Sequence, residues 1–96
     1  MDINKEKNDS KLTIRLKGRL DTQTSPLLAS ELSLEGVTEL VFDLSELEYV
    51  SSAGLRVFLT AHKTMMAQGE MIIMNAAPVV KEVFEITGFI DIFTLK

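Results

Sequence analysis

The stretch LVFDLSELEYVSSAGLRVFLTAHKTMMAQGEMIIM, from Leu40 to Met74, decides the fold. It opens on Leu40-Val41-Phe42, a short apolar run ending at Asp43 that reads as a central strand buried on both faces. Ser52 to Gln68 is good helix material, with Gly69 expected as its left-handed cap. Leu55, Phe58, Leu59, Met65 and Met66 form the apolar stripe of that helix, while Arg56, Thr60, Lys63 and Thr64 turn to water. Met71-Ile72-Ile73-Met74 is a second buried strand. Two strands joined by a long helix imply parallel pairing through a right-handed crossover.

The same alternation runs outward on both sides. Leu12-Thr13-Ile14-Arg15-Leu16-Lys17 alternates apolar and polar, so Leu12, Ile14 and Leu16 face inward. Asp2 to Lys7 forms a weaker edge strand ahead of it, joined by the turn residues Asn8-Asp9-Ser10. Gly18 is expected to break the strand, leaving Arg19-Leu20-Asp21-Thr22 as a polar connection. Ser25-Pro26 then starts a short helix, serine as cap and proline at the first helical position. Leu27, Leu28, Ala29 and Leu32 supply its buried side, and Gly36 marks its exit. Beyond Met74, Pro78 begins a helix carrying Val79, Val80, Val83, Phe84 and Ile86, which Gly88 closes. Phe89 is placed for the contact that accompanies such a cap, and Ile90 to Leu95 is expected to dock as a short strand. The expected architecture is one α/β domain over residues 1–96: a mixed, mostly parallel sheet of four to five strands with about three helices.

Bulk properties narrow the function. With 96 residues, 46% hydrophobic and 25% charged, the chain is an ordinary globular domain. It has no cysteine, which rules out a disulfide framework, a thiolate nucleophile and a cysteine–zinc site. Its unbroken apolar runs reach four residues, where a membrane span needs about 20. The N-terminus Met1-Asp2-Ile3-Asn4-Lys5-Glu6-Lys7 lacks the apolar stretch of a signal peptide, so a cytoplasmic protein is expected. A net charge of −4 argues against nucleic acid as a partner. Lys11, Arg15, Lys17 and Arg19 would share one strand face, either as a solvated surface or as a binding stripe.

Few residues could carry chemistry. The single histidine, His62, borders the apolar stripe and has no Asp, Glu or His four positions away to complete a metal pair. There is no nucleophile elbow and no Gly-rich phosphate loop, so no catalytic residue, cofactor or metal is assigned. Met65, Met71 and Met74 either fill the core or form an adaptable binding face. What remains is Tyr49-Val50-Ser51-Ser52-Ala53-Gly54-Leu55, two serines and a glycine at a helix start. Neither serine has Glu or Gln three positions on, so no capping box forms. Gly54 in the first turn costs about 1 kcal/mol relative to Ala. Tight packing on the sheet, or close approach of a backbone or a phosphate, would offset that. The helix start carries about half a positive charge and free N–H donors, which suit a phosphate.

The segments Val41-Phe42-Asp43-Leu44-Ser45 and Tyr49 to Leu59 resemble the signature of STAS domains, and most closely the bacterial anti-sigma factor antagonists. The likeness continues through Gly18-Arg19-Leu20-Asp21-Thr22, Gly69-Glu70-Met71, Asn75-Ala76-Ala77-Pro78-Val79, Val83 to Phe89 and Ile92-Phe93. It implies a binding module rather than an enzyme. The unphosphorylated form would bind an anti-sigma factor of the histidine-kinase-like ATPase type and release a sigma factor. That partner would phosphorylate the serine opening the long helix, and a metal-dependent serine phosphatase would reverse it. Counting from Gly54, the acceptor falls on Ser52, with Ser51 as second choice because Ser51 stands where the best-studied pattern has Asp. Asp21 is expected near Ser52. Asp21, Thr22, Tyr49, Ser51, Ser52, Gly54 and Arg56 make up the expected partner surface, with the loop Ser45 to Tyr49 as part of it. Asp43 is expected to order the loop beneath Ser52. Arg56 would meet an acidic partner or the phosphate, or else stand as a plain exposed arginine. The resemblance leaves a second role open: a non-phosphorylated scaffold subunit of a lipid-transport ABC or stress-signalling complex. A third, nucleotide binding, lacks a phosphate loop. A monomer or weak dimer is expected.

Overall fold

The computed structural model describes residues 1–96. Strands β1 (Asp2–Asn8) and β2 (Lys11–Leu20) form a hairpin, followed by α1 (Ser25–Glu31), β3 (Glu39–Val50), α2 (Ser52–Met66), β4 (Glu70–Met74), α3 (Pro78–Thr87), a 3-10 turn at Phe89–Asp91, and β5 (Thr94–Leu95). The sheet order is β1-β2-β3-β4-β5. β1 pairs antiparallel with β2, and every other pair is parallel. This is the mixed sheet with three helices that the alternation predicts.

Alternation also decides which face is covered. Leu12, Ile14 and Leu16 of β2 and Leu40, Phe42 and Leu44 of β3 enter one core with Leu28, Leu55, Phe58, Val80 and Phe84 from the helices. Val41 is buried too but lies outside that cluster, on the opposite face. That second face is a ladder of charges. Lys11 pairs with Glu39 at 3.8 Å, Arg15 with Glu6 at 3.2 Å and Asp43 at 3.6 Å, and Lys17 with Glu46 at 3.9 Å. Each exposed pair is worth about 0–1 kcal/mol. Their consequence is electrical: neighbouring carboxylates neutralise the strand cations, which makes this a solvated face rather than a basic stripe. Arg19 stands apart, its guanidinium 4.2 Å from the centre of the Tyr49 ring.

Several boundaries differ from expectation, each for a local reason. Gly18 does not end β2; at φ +104° it carries the strand through a bulge, and Arg19 and Leu20 pair with Tyr49 and Val50. Ser45 to Tyr49 is accordingly strand, not loop. Thr24, not Ser25, holds the cap position of α1; Ser25 is buried and its hydroxyl donates to the Asp21 carbonyl at 2.5 Å. Gly69 is not left-handed. A Cβ there would lie 1.9 Å from the Thr38 carbonyl oxygen, so only glycine lets the chain enter β4 beside β3. Gly88 does cap α3 in the left-handed region, at φ +81°. Leu27, Ala29, Met66, Val79 and Ile86 are exposed rather than buried, whereas Ala61 lies in the core. Met65 and Met71 are buried and Met74 is half-buried. The C-terminal run forms a 3-10 turn and only two strand residues. His62 is a boundary residue, edge-on to Phe93 at 5.6 Å.

Candidate functional site

Parallel strands deliver their carboxyl ends to one edge of the sheet, where α/β domains build binding sites. Here β2 and β3 end level, Leu20 opposite Val50. The ladder runs one step further: the Ser51 N–H donates to the Leu20 carbonyl at 2.9 Å. That bond fixes the start of α2 beside the turn that follows β2.

The turn is built around Asp21. Its carboxylate accepts from the backbone N–H groups of Gln23 and Thr24, both at 3.0 Å. The Thr24 hydroxyl accepts from the Asp21 N–H at 2.9 Å and donates to the Arg19 carbonyl at 2.8 Å. The Thr24 N–H leads the causes holding the Asp21 carboxyl below its ordinary value; desolvation opposes it, and the Thr24 hydroxyl, the Gln23 N–H and Arg19 add to it. Asp21 therefore shapes this turn, and Thr22 is exposed at its tip. The Asp-x-x-Thr spacing from Asp21 to Thr24 is the sequence signal of such a side-chain turn.

The two serines divide the work. Ser51 is the N-cap of α2, in extended backbone, and its Oγ accepts from the Gly54 N–H at 3.3 Å. Ser52 is the first helical residue, exposed, and its hydroxyl is in no intramolecular hydrogen bond. Gly54 does not present itself to a partner; it is buried, and its role is to seat the helix. A Cβ there would stand 2.7 Å from Leu20 Cγ and 3.0 Å from Val50 Cγ2. Sheet packing, not a phosphate, accounts for this glycine. Gly54→Ala is expected to destabilise the domain despite the roughly 1 kcal/mol gained in helix propensity, because overpacking costs about 1–3 kcal/mol. Urea unfolding would show the midpoint move down.

Arg56 is exposed one turn beyond Ser52, with no carboxylate in ion-pair reach. Tyr49, at the end of β3, is 37% exposed under the Arg19 cation. Ser51, Ser52 and the Asp21–Thr22 turn thus come together, with Arg56 following on α2.

Asp43 belongs elsewhere. It lies on the open face, half-buried, accepting from the Ser45 N–H at 3.1 Å and the Asn75 amide at 3.3 Å and facing Arg15. It orders the sheet and the Asn75 turn rather than the chain beneath Ser52. Burial alone would raise its carboxyl, but the Ser45 and Asn75 hydrogen bonds and Arg15 outweigh it and hold it below the ordinary carboxylate range. A carboxyl depressed on folding stabilises above its unfolded value, and that stability is lost as pH falls through the folded one. Asp43→Asn is expected to cost about 1–3 kcal/mol at neutral pH. It should also flatten the loss of stability below pH 4, read by urea midpoints from pH 7 to pH 2.5.

No group of three or more His, Asp or Glu side chains is arranged to hold a metal ion, and no helix is long and apolar enough to cross a membrane. A hollow of about 490 Å³ beside the site runs between α1 and α2. Sequence reasoning missed it, because it depends on how far two helices of unequal length overlap.

Fold and site together define a small α/β domain that displays a serine-opened helix and an aspartate turn at one sheet edge. The chain belongs to the STAS domain family, which it matches over residues 2–96. It is 39% identical to BtrV of Bordetella bronchiseptica, named as an anti-sigma factor antagonist, over 97% of this chain and 84% of that protein. It is 33% identical to the anti-sigma-B factor antagonist of Listeria monocytogenes, over 96% of this chain and 84% of that one. Among solved structures, the unphosphorylated form of the anti-sigma factor antagonist SpoIIAA superposes with a TM-score of 0.85 at 23% identity, covering 99% of this chain and 88% of that one. Its phosphorylated form superposes at 0.77 and 22% identity, covering 99% and 91%. Those two likenesses establish the shared fold.

Proposed function

We propose that this chain is an anti-sigma factor antagonist. In its unmodified form it binds a histidine-kinase-like anti-sigma factor and frees a sigma factor, and phosphorylation of Ser52 by that partner switches it off. It is a substrate of a serine kinase and of a metal-dependent serine phosphatase rather than an enzyme, and it works in the cytoplasm. The names of its relatives support the role. That SpoIIAA has both an unphosphorylated and a phosphorylated form supports the modification.

One observation carries the choice of residue. Ser52 is exposed at the first position of α2 with an uncommitted hydroxyl, while its neighbour Ser51 has its Oγ engaged in capping Gly54. Phosphorylating Ser51 would disturb a cap worth about 1 kcal/mol. A phosphate on Ser52 leaves that cap in place and gains from the positive end of the helix. Asp21, Thr22 and Tyr49 are the neighbouring surface a partner meets, with Arg56 one turn further along.

The test is incubation with ATP and the anti-sigma factor kinase, read by intact mass. Wild-type protein is expected to gain one phosphate and Ser52→Ala none, with Ser51→Ala still accepting it. Stoichiometric phosphate on Ser52→Ala protein would overturn the assignment.

A further inference from the structure

The flank of α2 that faces α1 is only partly covered. α1 has 7 residues and α2 has 15, about 10 Å against about 22 Å at 1.5 Å per residue. The shorter helix leaves the groove of about 490 Å³ open beside the longer one. Leu32, Leu34 and Val57 line it with apolar surface, and the small residues Ala29, Ala53 and Thr60 keep it deep.

The two ends of the groove are electrically opposite. Arg56 lines it at the Ser52 end. Glu35 lines it at the other, next to Leu34, whose carbonyl accepts from the Gln68 amide at 2.6 Å. Neither charge is spent internally. Arg15 is held by Glu6 and Asp43 and Arg19 lies over Tyr49, so Arg56 is the one arginine left without a partner, and Glu35 is in no ion pair. The dipole of α2 runs the same way, positive at the Arg56 end and negative at the Gln68 end. A fitting occupant is apolar along one side, negative where it meets Arg56 and positive where it meets Glu35. An amphipathic helix lying antiparallel to α2 meets all three requirements, since its own dipole is negative at its C-terminus.

We propose that the α1–α2 groove docks an amphipathic helix of the partner protein, antiparallel to α2, with an acidic C-terminal end on Arg56 and a basic N-terminal end on Glu35. This deepens the proposed function, and its link to switching rests on that reading. Ser52 and Arg56 are four positions apart, neighbours on the helix surface. A phosphate on Ser52 faces the acidic end of the docked helix and competes for the cation that held it.

The test needs no kinase. Isotope-labelled protein is titrated with a synthetic helical peptide of about 14 residues, long enough for four turns. It is stapled in its helical form, so that charge placement does not change its helicity, and it carries a leucine stripe, lysines in its first turn and glutamates in its last. A second peptide has the lysines and glutamates exchanged. Amide shifts are expected at Ala53, Arg56, Thr60, Thr64 and Gln68, with the first peptide binding about tenfold more tightly than the second, a modest electrostatic difference. Arg56→Glu, which leaves both ends of the groove negative, should abolish the preference. Thr60→Trp should fill the groove and remove binding of both while the spectrum stays that of the folded domain. Equal affinities, shifts elsewhere on the surface, or no binding at millimolar peptide would overturn the proposal. Those results leave the Ser52 phosphorylation test standing. Groove binding in a protein that no kinase modifies at Ser52 would instead defeat the antagonist reading alone.

Discussion

A phosphate on Ser52 is expected to weaken the complex with the anti-sigma factor kinase about a thousandfold, from nanomolar to micromolar, without lowering the stability of the domain itself. The two halves have separate causes. Within the domain, the added charge of about −1.5 to −2 stands at the first residue of α2, an exposed position at the positive end of the helix. Anions there stabilise by about 0.3–1 kcal/mol, so the melting temperature should hold or rise slightly. In the proposed complex, the same charge would enter a surface that the partner closes over. An uncompensated charge buried at an interface costs about 3–5 kcal/mol, and a thousandfold loss corresponds to about 4 kcal/mol. Ser52→Asp carries one charge on a shorter arm and should show about half that free energy, roughly a thirtyfold loss. Ser52→Ala should bind within a few-fold of wild type. Calorimetry with the four forms (unmodified, phosphorylated, Ser52→Asp and Ser52→Ala) separates the cases, and equal affinities for the phosphorylated and unmodified forms would leave only a constitutive scaffold.

Why the helix start was legible and its surroundings were not follows from the range of the forces involved. Strand and helix periods are written in contiguous residues, so Leu12, Ile14 and Leu16, the Leu40–Phe42 strand, and the Pro78-to-Gly88 helix could be read directly. The serine pair is likewise local, because a cap is a contact between residues three apart. What failed was set by other strands. Gly18 looked like a stop because glycine usually is one, yet β3 continues alongside and the bulge keeps β2 paired through Leu20. Gly69 looked like a left-handed cap, whereas the Thr38 carbonyl, 31 positions away in the chain, is what excludes a side chain there. Asp43 is expected from the sequence to order the loop beneath Ser52, but its partners lie across the sheet. The pleat sends its carboxylate to the opposite face, to Arg15 and Asn75. Of the two readings open for Gly54, packing and a phosphate, Leu20 and Val50 select packing.

Phe58→Ala should produce the largest loss of stability of any change considered, about 3–5 kcal/mol. Phe58 is fully buried on the inner face of α2. Its ring meets Phe42 edge-on at 4.9 Å, Phe84 at 6.1 Å and Phe93 at 6.4 Å, so one side chain ties β3, α3 and the C-terminal segment to the long helix. Truncation opens a void lined by three aromatic rings that cannot all collapse into it, and each lost aromatic pair adds to the area term. A domain of this length holds roughly 5–14 kcal/mol in all. The variant therefore sits near the edge of folding, with its melting temperature lowered by at least about 12 °C. Met66→Ala, on the same helix but 71% exposed, should change stability by no more than about 0.5 kcal/mol. The comparison bears on function as well as fold. Ser52 lies six residues before Phe58 on the outer side of the same helix. If the docking surface is a rigid feature of a folded domain, Phe58→Ala should bind the kinase with wild-type affinity well below its melting point and lose binding together with its helical signal. An affinity already reduced at low temperature, with that signal intact, would mean that the packing beneath α2 sets the position of Ser52 directly.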